Sequence, residues 1–513
     1  MDNSSRRTAR EKVVSVDELA RVTAELHAQG RTVAYCHGVF DLVHPGHIRH
    51  LEAAHREVDR LVVTVTPDAY VNKGPGRPVF NERLRAESLA ALEAVDYVAV
   101  NAWPTAVESI GLIRPDVYVK GGEYSRREDD VTGMIYEEER AILDVGGRIQ
   151  FTDDLVFSST QLLNAHFGVF APETNEFLAG FRERHSADEI VALLKSLADL
   201  DVTVVGDAII DEYHFCRPYG MARKSATIAV QLLSEESHLG GSLAVANHLA
   251  GFCRRVRLVT CLGEHSSKED LIRAGLKPNV EPVFVRRADG STVTKRRYVQ
   301  PFLVQKLFEV SFFTDTPLPA ELEKEAAAIA AREAGASDVT VVADFGNGFI
   351  GPRIVDALTS SARFLAVNAQ SNSINFGFNV ITKYPRVDYG CLDREELLLA
   401  AQDRFAPLEQ VLTEMAERLR ASLFTVTRGP EGALVRGTDR TVSVPAFSRE
   451  VVDTVGAGDA FFALTSALAQ RGVEPEVIGF IGNAVGTLAV RVIGNRESVE
   501  PVPLYKFITT LLQ

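Results

Sequence analysis

Short apolar runs alternating with amphipathic stretches, twice over in one chain, leave few folds open. From Val33 to about Asp154 the runs TVAYC, RLVVTVT, YVAVN, VYVKG and RIQFT read as strands, with helical patterns between them. Such alternation predicts a parallel sheet with helices on both faces. Sheets of that kind place their ligands at the carboxyl ends of the strands. A second region of the same kind opens at DVTVVGDAIIDEY and continues through RVRLVTCLG, VTVVADFG, RFLAVN and LFTVTRG. Between the two, APETNEFLAGFRERHSADEIVALLKSLADLD begins polar and turns helical, with Ser186 and Glu189 spaced as a capping box. The expected organisation is a disordered tail over residues 1–12, an α/β domain over 13–168, a linker and lead-in helix over 169–198, and a second α/β domain over 199–513.

Composition narrows the function. At 513 residues the chain is too long for one ordinary core, and 46% apolar with 24% charged residues fits a soluble globular protein. The formal charge of −14 argues against nucleic acid as a partner, while leaving room for small anions in local basic pockets. Five cysteines lie far apart without a Cys-x-x-Cys pair, which suits reduced thiols in a cytosol. The opening MDNSSRRTAREK lacks the apolar stretch of a secretory signal, and no apolar run reaches the roughly 18 residues of a membrane helix. A cytoplasmic protein with no membrane partner is expected.

Two loops carry chemistry. In the first, the strand TVAYC feeds HGVFDLVHPGH, and IRHLEAAHREVD then reads as a helix. His47 falls in the first helical turn and His44 just before it, beside backbone N–H groups that attract anions; Gly46 permits close approach of a ligand. Zinc is an alternative, but two histidines without an evident third or fourth ligand do not make a zinc site. A loop with two incidental histidines is the plainer alternative.

GVFDLVHPGH resembles the His-x-Gly-His signature of the cytidylyltransferase-like nucleotidyltransferases. VNKGPGRPVFNERLRAESLAALEAVDYV, IRPDVYVKGGEY and FSSTQLLN follow in the family's order and spacing. The resemblance covers roughly residues 30–165 and implies a Rossmann-like domain in which a sugar phosphate attacks the α-phosphorus of ATP or CTP. His44, His47 and Lys120 would stabilise charge on the phosphates. Gly38, Val39, Phe40, Asp41, Lys73, Arg83, Ser158, Ser159 and Thr160 would bind the nucleotide. Asn164 stands where relatives often carry a cation.

The second loop is VVDTVGAGDAFFALTSALAQRG, which sets Gly456, Ala457 and Gly458 ahead of a helix with Asp459 in its first turn. Small residues there expose N–H groups to a transferring phosphoryl group, and a carboxylate can accept a hydroxyl proton. DTVGAGD resembles the signature of ribokinase-like, PfkB-type sugar kinases; VVGDAIIDEY, LGGSLAVANHLAGF and VTRGPEGA agree with it over residues 200–513. By that resemblance Asp459 is the catalytic base and Gly456 to Gly458 form the anion hole. Asp207, Asp211, Gly240 and Gly241 line the sugar, and Thr427, Gly429 and Gly432 lie near the nucleotide. Turn or cap chemistry is the alternative for Asp207 and Asp211.

Departures are also visible. The family's Asn-x-x-Glu motif is placed on LDRE, with Leu392 for Asn and Glu395 as the metal-linked acid; Gln370 ends VNAQ where heptose kinases have Asp-Pro-Lys, and Ala244 replaces an Asn. Together the halves resemble bifunctional heptose-phosphate kinase/adenylyltransferases, with the domains in the opposite order. The resemblance implies a sugar kinase and a sugar-phosphate nucleotidyltransferase, both using Mg²⁺ with ATP or CTP, on a heptose-like sugar, in a possible homodimer. The alternatives are an active transferase joined to a degenerate kinase domain that binds ligand or dimerises, and a nucleotide-binding sensor or scaffold.

Overall fold

The computed structural model describes residues 8–71, 77–121, 134–152, 170–222, 224–225, 227–301, 305–372, 375–448 and 451–513. The chain divides into two compact units, Met1–Ala171 with Tyr505–Gln513, and Pro172–Leu504. Among the described residues no helix is long and apolar enough to cross a membrane. All five cysteines are free, four of them buried.

The first unit holds one six-stranded sheet of β1 (Val13–Val14), β2 (Val33–Gly38), β3 (Arg60–Val65), β4 (Tyr97–Val100), β5 (Val117–Gly121) and β6 (Arg148–Thr152). Every pairing is parallel, in the order β1-β4-β3-β2-β5-β6. All five runs read as strands from sequence are present. Residues of β2 to β5 are largely buried because helices cover both faces: Ala34, Cys36, Val63 and Val98 pack on one side, and Tyr35, Val62, Ala99 and Tyr118 on the other. The order reverses between β2 and β5, so the crevice for a ligand opens at their carboxyl ends.

Within the span expected as tail, residues 8–12 are ordered. Thr8 and Glu11 form a capping box that starts the helix Ala9–Lys12, and Lys12 Nζ donates to the carbonyls of Leu92 and Val95 at 3.1 and 2.7 Å. β1 then pairs with β4.

The second unit has two sheets. The larger runs β11 (Val280–Ser291), β10 (Arg255–His265), β7 (Asp201–Gly206), β14 (Val339–Asp344), β15 (Leu365–Ala369), β16 (Tyr389–Asp393), β17 (Leu423–Thr427), β18 (Ala433–Arg436) and β19 (Thr441–Val444); β18 and β19 are antiparallel. The smaller, a lid, has the order β13 (Gln305–Phe312), β12 (Val293–Gln300), β8 (Ala208–Met221) and β9 (Ile228–Gly241). β7 passes through Asp207 directly into β8, so one continuous run supplies the centre of one sheet and the centre of the other.

Part of the expected linker belongs to this unit. Pro172–Arg182 is a helix whose buried Phe181 stacks on Phe480 with ring centroids 4.3 Å apart. The capping box read from sequence is formed: Ser186 Oγ accepts from Glu189 N at 3.2 Å, and Glu189 Oε2 accepts from Ser186 N at 2.9 Å.

Candidate active sites

In the first unit β2 ends at Gly38, and the chain turns through Phe40 in the left-handed region (φ 47°). His44 is the N-cap of the helix Pro45–His55, with Pro45 at the first helical position. Its Nδ1 accepts from Gly46 N at 3.1 Å, so the neutral ring carries its proton on Nε2, the nitrogen that can donate to a phosphate. The His47 ring lies 3.9 Å from that of His44 and edge-on to Phe40 at 5.3 Å. The two histidines thus form one close, tilted ring pair (31° between planes) at the helix N-terminus.

Lys120 stands at the end of β5, with Nζ 2.7 Å from Glu138 Oε2 and 5.3 Å from the centre of the Tyr118 ring. His37, late in β2, lies 2.8 Å from Thr64 Oγ1 through Nδ1 and 3.3 Å from Thr66 Oγ1 through Nε2. Burial, helped by the Lys120 charge, pushes its pKa down to about 3, so it stays neutral.

Two expected nucleotide ligands have other partners. Asp41 is buried and accepts from Arg77 Nε and, at 2.6 Å, from Val79 N; it fastens the 77–79 segment to the histidine loop. Arg83 projects outward and pairs with Glu87 at 3.3 Å, one helical turn on. The buried arginine of that helix is Arg85, which sequence reasoning passed over. It donates to the carbonyls of Val39, of Phe80 at 2.9 Å and of Thr66 at 2.8 Å, and to Asp68 at 2.6 Å. One guanidinium therefore ties the ends of β2 and β3 together behind the site. Lys73, Ser158, Ser159 and Thr160 lie outside the described residues.

In the second unit Gly456 caps the helix Ala457–Gln470 in the left-handed region (φ 84°), and Gly458 is exposed in its first turn. Asp459 follows. Burial, reinforced by the charge of Asp211, pushes its pKa up to about 7 against the opposing pull of Lys295. A carboxylate poised there changes protonation at neutral pH, as a general base must.

The diglycine turn ends β9. A Cβ on Gly240 would collide with Asp211, and one on Gly241 (φ 58°) with the Asp207 carbonyl, so both positions need glycine. Asp211 is buried, 2.5 Å from Arg297 Nη1 and 3.2 Å from Asn495 Nδ2. The Asn495 side chain also fills the space a Cβ on Gly456 would take, joining the anion-hole loop to Asp211. Asp453, just before that loop, accepts from Tyr213 (3.0 Å), Lys306 (2.7 Å) and Gly494 N (3.1 Å). Asn495, Lys295 and Lys306 carried no sequence signal.

Asp207 makes the turn contacts named as the alternative for it. Its Oδ2 accepts from the backbone N–H of Phe345 (3.0 Å) and Asn347 (3.5 Å), so it also closes the turn after β14. Burial and neighbouring Asp344 push its pKa up to about 6. Asp344 itself is held by Tyr384 and Lys383, each at 2.6 Å. Thr427 ends β17, and Gly429 (φ 56°) and Gly432 (φ 84°) make the turn that follows, with Gly432 pressed against Val444 of β19.

Next to the expected metal-linked acid Glu395 stands a second carboxylate, Glu396. Glu395 is exposed, whereas Glu396 is buried, accepts from Ser371 N (3.2 Å) and Asp393 N (2.9 Å), and caps its helix with Asp393. Burial, then Asp393, and to a smaller degree Asp459 push Glu396 up to about 8. Asp393 and Glu396 are spaced Asp-x-x-Glu, and Leu392 is a buried core residue of β16. Among the described residues no group of three or more His, Cys, Asp or Glu forms a metal cage.

Family profiles match segments of both units. The profile of "Cytidylyltransferase-like" proteins matches residues 35–162, and that of "pfkB family carbohydrate kinase" matches residues 199–502. "Bifunctional protein HldE" of Bradyrhizobium sp. (strain ORS 278) is 43% identical over 160 residues, 31% of this chain and 31% of that protein. The protein of the same name from Gluconobacter oxydans (strain 621H) is 40% identical over 153 residues, 29% of this chain and 30% of that protein. The chain thus aligns with under a third of the length of these relatives. Phosphofructokinase-2 from Escherichia coli in complex with potassium superposes with TM-score 0.50 at 14% identity, over 62% of this chain and all of that one, a likeness of fold. Here the transferase-like segment precedes the kinase segment; the inverted order relative to the bifunctional enzymes, expected from the resemblance, finds no support in these matches and is dropped. With the kinase profile covering more than half of its length, the chain belongs to the pfkB family of carbohydrate kinases.

Proposed function

We propose that the protein is bifunctional: its second unit phosphorylates a sugar with ATP, and its first joins a sugar phosphate to a nucleotide with release of pyrophosphate. The observation that carries the kinase reading is Asp459, held near neutrality in pKa at a glycine-capped helix N-terminus beside Asp211 and Lys295. The ionised carboxylate takes the proton of the attacking hydroxyl, and the N–H groups of the Gly456–Gly458 turn stabilise the phosphoryl group in flight. The paired His44 and His47 rings and Lys120 support the transferase reading, since charge on the phosphates is what that reaction must stabilise.

Mg²⁺ enters with the nucleotide phosphates, and Asp393 and Glu396 are the side chains that would face it. Glu396, pushed up by burial and neighbouring carboxylates, is an acid whose charged form a cation would favour. The heptose-like sugar, cytoplasmic location and homodimer extend the resemblance to the bifunctional enzymes. Exposed Tyr219, Leu232, Phe308 and Phe312 on lid strands support the dimer.

The degenerate-kinase reading keeps Gln370 and Ala244 on its side but loses Leu392, once the motif is read at Asp393 and Glu396. The test is pyrophosphate release from ATP or CTP with hexose and heptose 1-phosphates, with His47→Ala as control, alongside ADP formation from ATP with the free sugars. Pyrophosphate lost in His47→Ala supports the transferase. ADP formation absent with every sugar favours the binding-module reading of the second unit.

A further inference from the structure

The underside of the lid rests on a segment beside the second site. Tyr213 and Phe215 of β8 and Val299 of β12 are buried in one small cluster, with Ile493 packed against it. The next residue, Gly494 (φ 53°), has no room for a Cβ, because the Tyr213 hydroxyl lies 2.5 Å from where that atom would be. Asn495 then reaches Asp211 and the space beside Gly456.

Asp453, three residues before Gly456, is buried where the lid, this segment and the anion-hole loop meet. Each of its carboxylate oxygens takes one donor from the lid and one from beneath it. Oδ1 accepts from Lys306 Nζ of β13 at 2.7 Å and from Val455 N, in the loop itself, at 3.2 Å. Oδ2 accepts from the Tyr213 hydroxyl of β8 at 3.0 Å and from Gly494 N at 3.1 Å. A desolvated carboxylate holds such donors firmly, since losing one leaves buried charge less compensated.

Lys306 reaches Asp453 because of a break in strand register. Arg297 pairs with Glu309 and Tyr298 with Phe308, but Val299 pairs with Lys306, so Leu307 is an extra residue in β13. In unbroken register Lys306 would pair with Gln300 and point to the other face of the lid. The bulge turns it to the face of Val299, which is also that of Phe215 and Tyr213. On that face Arg297 Nη1 lies 2.5 Å from Asp211 of β8 and its Nε 2.9 Å from Glu309 of β13, so β13 is tied to the strand that carries Asp211.

We infer that Lys306 and Asp453 form a latch by which the lid sets the phosphoryl-holding turn, with Lys306 a positioning residue that acts through Asp453 on the N–H groups of Gly456 to Gly458. The inference rests on the sugar-kinase reading of the second unit. With β13 seated, Asp453 is fixed from above and holds Val455 N through the same oxygen. With β13 withdrawn, that oxygen loses its cation and the loop its anchor, so the turn is set for transfer only under a seated lid.

The test uses the whole chain and hydrogen exchange read by mass spectrometry, which needs no ligand. Lys306→Met drops the charge at a side chain 36% exposed, a change the fold should tolerate. Amides of residues 453–459 are expected to exchange about tenfold faster and those of β14 to stay as they were. Lys306→Arg should bring exchange back to within about threefold. Asp453→Asn should in turn speed exchange in β13; if it does not fold, Tyr213→Phe, which removes the other lid donor, replaces it and should speed exchange at 453–459. Unchanged exchange at 453–459 in Lys306→Met overturns the latch, as does equal acceleration across the unit, which marks a general loss of stability. The second readout is ADP formation from ATP with the free hexoses and heptoses. Its kcat should fall about tenfold in Lys306→Met and recover in Lys306→Arg, with KM for ATP moving by less than about threefold. An unchanged kcat beside faster exchange overturns the role in transfer. Coupled exchange without ADP formation by the wild-type chain from any sugar would instead sink the kinase reading and leave the contact between lid and loop standing.

Discussion

The two sites solve different electrostatic problems with different residues. In the first unit the groups at the strand ends are a tilted histidine ring pair and a lysine, with His37 held neutral. In the second they are carboxylates pushed upward: Asp207 to about 6, Asp459 to about 7 and Glu396 to about 8. A reaction between two phosphates has charge to stabilise and no substrate hydroxyl to deprotonate. Phosphorylation of a sugar hydroxyl has a proton to remove, and a carboxylate near neutrality can take it. The contrast teaches that crowding buried acids raises their pKa, whereas a helix N-terminus offers unpaired N–H groups that favour an anion.

The contrast can be broken in several ways. The largest expected effect is that of Asp459→Asn, which removes the proton acceptor while keeping its shape. ADP formation should fall by about a hundredfold to ten-thousandfold with binding of the sugar little changed, read by kcat against KM. Lys120→Met should lower pyrophosphate release by about a hundredfold, the scale for losing one charge-stabilising donor. A loss under threefold would show that the Lys120–Glu138 pair is structural only.

Arg85→Ala addresses the scaffold of the first site. It strips three backbone carbonyls and Asp68 of their shared partner, so urea unfolding of the first unit should show a loss of about 3 kcal/mol. The smallest effect sharpens the comparison most. kcat/KM for ADP formation should rise with pH through about 7 as Asp459 ionises. Lys295→Met removes a cation that favours the ionised form, so this acid limb should move to higher pH. The pH profile of pyrophosphate release should not move with it.

Much of the fold was legible because buried strands announce themselves. RLVVTVT and VTVVADFG are apolar nearly throughout, as strands covered on both faces must be. The lid was not legible: VTKRRYVQ and QKLFEVSF are charged and half-exposed, and their pairing is fixed by partners far along the chain. The site divides the same way. His44, His47, Gly456 and Asp459 are set by a local loop and helix start, so a short motif locates them. Arg85 meets Val39 across 46 residues and Asn495 meets Asp211 across 284, which no local spacing shows. Glu395 and Glu396 are adjacent, and only the capping geometry of Asp393 decides which of them is buried.

The most direct test of two separate chemistries is a crossed assay. His47→Ala and Asp459→Asn are each measured for pyrophosphate release and for ADP formation, with the sugar and sugar phosphate that the wild-type chain turns over. The account predicts that each variant loses one activity and keeps the other within about twofold. Loss of both activities in either variant would contradict it.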